Sequence, residues 1–264
     1  MTFFDTWESY FYPDTYDATA GVGVLRNLLD ERTYETLRAK EYLLTEMRTV
    51  EIYQGDADIV RTYDSEHIKS IHAYVFQDVY EWAGQYRSVD MFKGGNGFAL
   101  VDSKSDMSID SYMNDVHSFI VDNSWSTLSH EDFAQQSAKV FASLNRAHPF
   151  REGNGRASKV FMEHVAELSS FQFEFHRIDA DVWNEMSWMS SPDRFSREPH
   201  PEYLYDIFTE AARPRQGKII TLEQERSIKR HIERDIIIRR MRKTRKNETT
   251  RTDDEHVISR GRSR

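Results

Sequence analysis

The 264-residue chain is 39% apolar and 30% charged, which allows one substantial buried core and excludes a wholly disordered polymer. It has no cysteine, so a disulfide framework and a thiolate metal site are both excluded. The net charge of −9 is divided unevenly: residues 213–264 hold 17 of the 35 basic and 8 of the 44 acidic side chains, leaving 18 basic against 36 acidic in residues 1–212. An acidic body of that kind does not bind nucleic acid non-specifically, so such binding is expected only through the basic tail.

No internal repeat is visible, and no apolar run approaches the roughly 20 residues a membrane span needs. Residues 1–10 are aromatic and acidic, unlike a signal peptide. Membrane contact is not expected, and a cytoplasmic location is. In chain order, a turn at Tyr12-Pro13-Asp14-Thr15 precedes a predicted helix from about Thr33 to Arg48. A second helix should start at Asp64 or Ser65, either of which makes a good N-cap. It carries Ile68, Ile71, Val75 and Val79 on one face with His72 beside them, and should end near Trp82-Ala83-Gly84. Tyr86 to Phe92 and Phe98 to Val101 then flank Lys93-Gly94-Gly95-Asn96-Gly97, which reads as a β-hairpin and its tip.

A helix is predicted from about Asp106 to Val121, and another after the capping signal Ser129-His130-Glu131-Asp132. The latter should stop at His148, because Pro149 disfavours a helical residue before it. A glycine-containing loop follows, and a helix opens between Asn154 and Arg156 with Val160, Phe161, His164, Val165 and Leu168 inward. Helical pieces over Ala180 to Met189 and Pro201 to Ala212, a basic amphipathic helix over Thr221 to Lys246 and a disordered tail after Asn247 complete the reading. His72 and His164 lie on apolar faces and read as core histidines, while His117, His130, His200, His231 and His256 show no ligand spacing.

Chemistry concentrates in His148-Pro149-Phe150-Arg151-Glu152-Gly153-Asn154-Gly155-Arg156-Ala157-Ser158-Lys159. A histidine ending one helix faces a glycine turn opening the next, where backbone N–H groups and the helix dipole form an anion cradle. Gly153 and Gly155 allow unusual backbone angles and close approach of phosphate. Arg156 and Lys159, three apart, are expected to project toward the same anion. Glu152 would repel phosphate unless it grips Mg²⁺, although a simple capping carboxylate is the plainer alternative. Phe150 reads as an anchor into the core. A histidine that accepts a proton near neutrality, a carboxylate for a metal and a phosphate cradle describe phosphoryl or nucleotidyl transfer.

This stretch resembles the Fic family signature His-Pro-Phe-x-(Asp/Glu)-Gly-Asn-Gly-Arg-x-x-Arg, departing from it only where Lys159 replaces the last arginine. Asp78-Val79-Tyr80-Glu81-Trp82-Ala83-Gly84-Gln85-Tyr86-Arg87 resembles the family's approach to its flap hairpin, and Tyr12-Pro13 and Val24-Leu25-Arg26-Asn27 are similar to the N-terminal part of bacterial members. The resemblance implies a mostly α fold: a Fic-type helical bundle with a β-hairpin flap beside the active-site loop. Residues 1–60 would form its N-terminal helical part, 61–212 the catalytic core and 213–264 a basic extension and tail.

It also implies a protein adenylyltransferase using ATP and Mg²⁺. His148 would take the proton of a target Tyr, Ser or Thr hydroxyl, and Glu152 would hold the metal. Gly153, Asn154, Gly155, Arg156 and Lys159 would bind the phosphates, with Lys93, Gly94, Gly95 and Asn96 of the flap completing the site. The flap would register the target protein as an added strand. Lysine at position 159 keeps charge but loses bidentate geometry. The family's inhibitory motif, (Ser/Thr)-x-x-x-Glu-(Gly/Asn), is missing, since Thr221-Leu222-Glu223-Gln224-Glu225 is followed by Arg226. A separate antitoxin-like partner supplying the inhibitory glutamate is therefore expected, as in toxin–antitoxin members, with secretion into a host left open. The alternatives are transfer of another nucleotide or of phosphate by the same pocket, and a non-catalytic protein that binds through the basic C-terminal helix. The loop of kinase-like relatives differs from Glu152-Gly153-Asn154-Gly155, which speaks against phosphate transfer.

Overall fold

A computed structural model describes residues 4–93 and 96–216, with single positions between 221 and 234. Helix α1 (Tyr34–Gln54) begins where the Thr33 hydroxyl accepts the Thr36 N–H and stops at Gly55, whose φ of 84° is left-handed. It runs past the expected end at Arg48 because no residue before that glycine breaks the period. Helix α2 (Ser65–Phe76) is capped by Asp64, one of the two candidates, its carboxylate accepting from Glu66 and His67 N–H.

Helix α2 ends at Phe76 instead of near Gly84. Val79, Tyr80 and Trp82 are buried there in a run of turns, with the Tyr80 and Trp82 rings stacked at 4.2 Å, and this packing overrides the helical period. Gly84 (φ 79°) then crosses directly over α2: a Cβ at that position would lie 2.7 Å from the Cβ of Ala73.

The predicted hairpin exists but is far shorter than its flanks implied. Strands β1 (Phe92–Lys93) and β2 (Asn96–Gly97) pair antiparallel, Phe92 with Gly97 and Lys93 with Asn96. Tyr86 to Met91 and Phe98 to Val101 form no ladder because the buried Arg87 intervenes. Its guanidinium takes the carbonyl of Val89 at 2.8 Å and also that of Ala99, while the N–H of Ala99 goes to the carbonyl of Arg146 at 2.8 Å. Gly94, Gly95 and the side chain of Lys93 lie outside the described residues.

Helix α3 (Ile109–Asp122) starts three residues later than expected, on a Ser108 cap. Helix α4 (His130–Ala147) is capped by Ser129 and α5 (Asn154–Ala166) follows the glycine loop. Strand β3 (Phe171–Phe173), α6 (Ala180–Met189), α7 (Tyr205–Ala211) and β4 (Ala212–Pro214) complete the described chain, and a 3₁₀ turn over Pro201–Leu204 leads into α7. The pairing of β3 with β4 has no signal in the sequence; it places Arg213 and Pro214 in the packed unit, inside the segment assigned to the extension. The helix expected over 221–246 falls mostly outside the described residues, and the tail after Asn247 wholly so.

The core is a mostly helical bundle centred on α4 and α5. Helix α4 packs on α3 and α7, and α5 on α2 and α4. Phe133, Val140, Phe141 and Leu144 of α4 and Val160, Phe161 and Val165 of α5 are buried, as their spacing required. The two central helices therefore meet end to end at one loop, which runs from His148 to Gly153.

Candidate active site

Pro149 ends α4, and His148 is left as its C-cap in the left-handed region, φ 39° and ψ 58°. A non-glycine residue held there needs support from its surroundings. The Arg87 guanidinium supplies it, its Nε donating to the carbonyl of His148 at 2.9 Å, while the backbone N–H of Arg87 donates to the carbonyl of Pro149 at 2.8 Å. The half-buried imidazole of His148 stacks on Phe98 with ring centres 3.8 Å apart.

Inside the loop, Asn154 staples both ends. Its amide nitrogen donates to the carbonyl of Phe150 at 2.7 Å, and its oxygen accepts the Phe150 N–H at 2.9 Å. Phe150 is fully buried, as its anchoring role demanded, and such burial contributes about 1.5–3 kcal/mol. Gly153 has a φ of 82°, and a Cβ on it would meet the Phe76 ring at 2.2 Å, so both backbone and space require glycine. A Cβ on Gly155 would meet nothing within 4 Å; the room beside it opens the approach to the first turn of α5, whose N–H groups lack intrahelical acceptors. The carboxylate of Glu152 accepts the N–H of Gly153 at 3.0 Å, the capping role weighed for it, and remains partly exposed.

His148, Glu152, Gly153, Asn154 and Gly155 line one cavity of about 460 Å³. Asn96, Phe92 and Phe98 of the hairpin region form one wall, and Asn145, Trp183 and Ser187 of α4 and α6 contribute a second. Sequence reasoning missed that second wall, because α6 carries no motif. Asn145 Nδ2 fixes it through the carbonyl of Ser187 at 2.6 Å.

The two cations expected to converge on one anion do not. Arg156 is absent from this lining: its guanidinium pairs with Glu41 of α1, donates to Thr45 Oγ1 at 3.0 Å and lies 3.6 Å from Glu152. It borders a second cavity of about 500 Å³ on the α1 side, with Trp7, Tyr80 and Arg151. Lys159 places Nζ 4.5 Å above the Trp183 ring, and burial holds its pKa below the usual lysine value. Positions three apart on a helix differ by about 60° in direction, and here α1 draws one side chain while Trp183 draws the other.

His72 and His164 are core histidines, both pushed down to about 3 by burial. His72 also touches the loop, its Nε2 lying 3.0 Å from the carbonyl of Glu152. Among the described residues no cluster of three or more His, Asp or Glu could hold a metal ion.

The Fic/DOC family model matches residues 62–166, which span this loop and the elements that hold it. The chain is 28% identical over 183 residues to the probable protein adenylyltransferase Fic of Escherichia coli K12, covering 67% of this chain and 82% of that protein. It is 32% identical over 162 residues to the probable protein adenylyltransferase y4lH of Sinorhizobium fredii, covering 60% and 79%. Among solved structures it resembles the BepC protein of Bartonella tribocorum with bound AMPPNP, at a TM-score of 0.66 and 22% identity over 79% of this chain and 98% of that one. A Bartonella quintana Fic domain with bound ADP is similar at a TM-score of 0.63 and 22% identity, covering 79% and 96%. With its helical bundle, its short hairpin and its stapled histidine loop, the chain belongs to the Fic/DOC family.

Proposed function

We propose that this chain is a protein adenylyltransferase, moving AMP from ATP to a hydroxyl side chain of a target protein. The observation that carries the reading is the meeting of His148, Glu152 and the open first turn of α5 in one cavity. The relatives named as adenylyltransferases and the structures titled with AMPPNP and ADP support it.

His148 accepts the proton of the target Tyr, Ser or Thr hydroxyl. The hydroxyl oxygen bonds to the α-phosphorus as the bond from that phosphorus to the pyrophosphate oxygen breaks, and pyrophosphate leaves. Gly153 and Gly155 admit the phosphates to the N–H groups at the start of α5, and Asn154 holds those groups in place. Glu152 is the one residue of the set suited to Mg²⁺. A single partly exposed carboxylate fits that ion, which commonly takes one or two protein carboxylates and fills its shell with phosphate and water. When bound, the metal would neutralise phosphate charge. Arg156 serves the departing pyrophosphate only once its guanidinium leaves Glu41 on the α1 side, and Lys159 acts by bracing Trp183.

The target adds its strand to β1. Asn96 of β2 is already bridged to Asp193, whereas Phe92 on β1 is exposed and lines the cavity mouth. A separate antitoxin-like partner restrains the site, because the family's inhibitory motif has no match in the sequence. No helix among the described residues is long and apolar enough to cross a membrane, and the reading places the reaction in a cytoplasm, that of its own cell or of a host. Incubation with α-labelled ATP, Mg²⁺ and a lysate tests the activity: label on a target band is the expected result, and label only from γ-labelled ATP would replace AMP transfer with phosphate transfer.

A further inference from the structure

We infer that His72 is a positioning residue for the anion loop: it holds the carbonyl of Glu152 toward the core and thereby aims the N–H of Gly153 into the cavity of His148 and Glu152. The inference rests on the proposed AMP transfer for its kinetic consequence, while its geometry stands apart from that reading.

The imidazole is fully buried between the rings of Phe76 and Phe150, with centres at 4.5 and 3.8 Å. Its Nδ1 accepts the N–H of Gly84 at 2.9 Å. A neutral imidazole has one acceptor and one donor nitrogen, so the proton sits on Nε2, which donates to the carbonyl of Glu152 at 3.0 Å. A trans peptide points its C=O and N–H in opposite directions, and among the described residues there is no cis bond. Fixing the Glu152 carbonyl inward therefore fixes the Gly153 N–H outward, where its present acceptor is the Glu152 carboxylate at 3.0 Å. A phosphate oxygen arriving at that N–H displaces the carboxylate.

Simple space-filling does not account for this histidine. Leucine or phenylalanine would fill the volume, but neither would accept the Gly84 N–H. The chain is brought against α2 at that point closely enough that only glycine fits, 2.7 Å separating a would-be Cβ from Ala73. The contact links the turn after α2, the imidazole and the loop in one hydrogen-bonded relay of neutral groups.

The test compares His72→Phe, which keeps the ring stack without the hydrogen bonds, with His72→Gln, whose amide can both accept from Gly84 and donate to Glu152. His72→Asn, too short to reach Glu152, serves where the phenylalanine variant does not fold. Three readouts on the full chain are the ¹⁵N amide resonance of Gly153, the Kd for ADP by calorimetry, and kcat and KM for AMP transfer. The Phe and Asn variants should move the Gly153 resonance, weaken ADP about 5-fold and lower kcat about 10- to 100-fold. The Gln variant should recover most of each. Folded Phe or Asn variants with the wild-type resonance, affinity and kcat would overturn the inference, as would a Gln variant no better than Asn. A wild-type chain that binds ADP without transferring AMP would sink the proposed activity and leave the Gly153 resonance and ADP affinity to judge His72.

Discussion

The loop over residues 148–153 and the hairpin over residues 92–97 face the same cavity but are held in opposite ways. Every backbone carbonyl of His148, Pro149, Phe150 and Glu152 has a donor, from Arg87, Asn154 or His72. Among the described residues the hairpin has a ladder of two residue pairs, and its further contacts hold β2: one bridge to Asp193, the Asn96 amide on the carbonyl of Trp188 at 3.0 Å, and the Arg146 guanidinium on the carbonyl of Gly97. The difference fits the tasks proposed for them. A base and a phosphate cradle act only in fixed mutual geometry, so remote parts of the fold pin them. An edge that must accept a partner's strand keeps its own hydrogen-bonding groups open.

The sharpest way to test that contrast is on the pinned side. His148→Ala should reduce AMP transfer on the order of 10³-fold with an unchanged melting temperature, because the base is lost while the loop's staples remain. Transfer at the wild-type rate would remove His148 from the mechanism. Acidification tests the buried histidines next. His72 and His164 are held at about 3, against an ordinary value of 6.5, so the unfolded chain binds more protons between those limits. Stability should thus be full above about pH 6.5 and fall as the pH drops from there toward 3, by roughly 1 kcal/mol per pH unit for each histidine. Denaturant titrations across that window measure the slope, and substituting either histidine should lessen it.

The two loop glycines separate strain from room. Gly153→Ala should cost about 2 kcal/mol or more, from the positive φ and the contact with Phe76. Gly155→Ala should instead leave stability equal or raise it by up to about 1 kcal/mol while weakening ADP binding, because its Cβ enters open space at the cradle. On the open side, Phe92→Asp should lower target labelling about 10-fold with an ADP affinity near wild type, as expected of a docking contact. Equal losses in both would place Phe92 in nucleotide binding. The smallest change is expected from Lys159→Met, about 3-fold or less in transfer, since a long apolar side chain still packs on Trp183.

Features encoded within a dozen residues are legible in the amino-acid order alone. The Asp64 and Ser129 caps, the stop at His148-Pro149, the buried Phe150 and the start of α5 each depend on neighbouring side chains and backbone sterics, which the residue order states directly. The Fic-type bundle follows from the same loop. What the tertiary structure decided was where long side chains go once the helices pack. Arg156 turns to Glu41 and Lys159 to Trp183. Arg87 dissolves most of the expected hairpin ladder, and His72 reaches a carbonyl 80 positions away. Local order cannot specify such contacts, because a guanidinium or imidazole is satisfied by any acceptor within reach, and only the packing of α1, α2 and α6 around α4 and α5 selects which one that is.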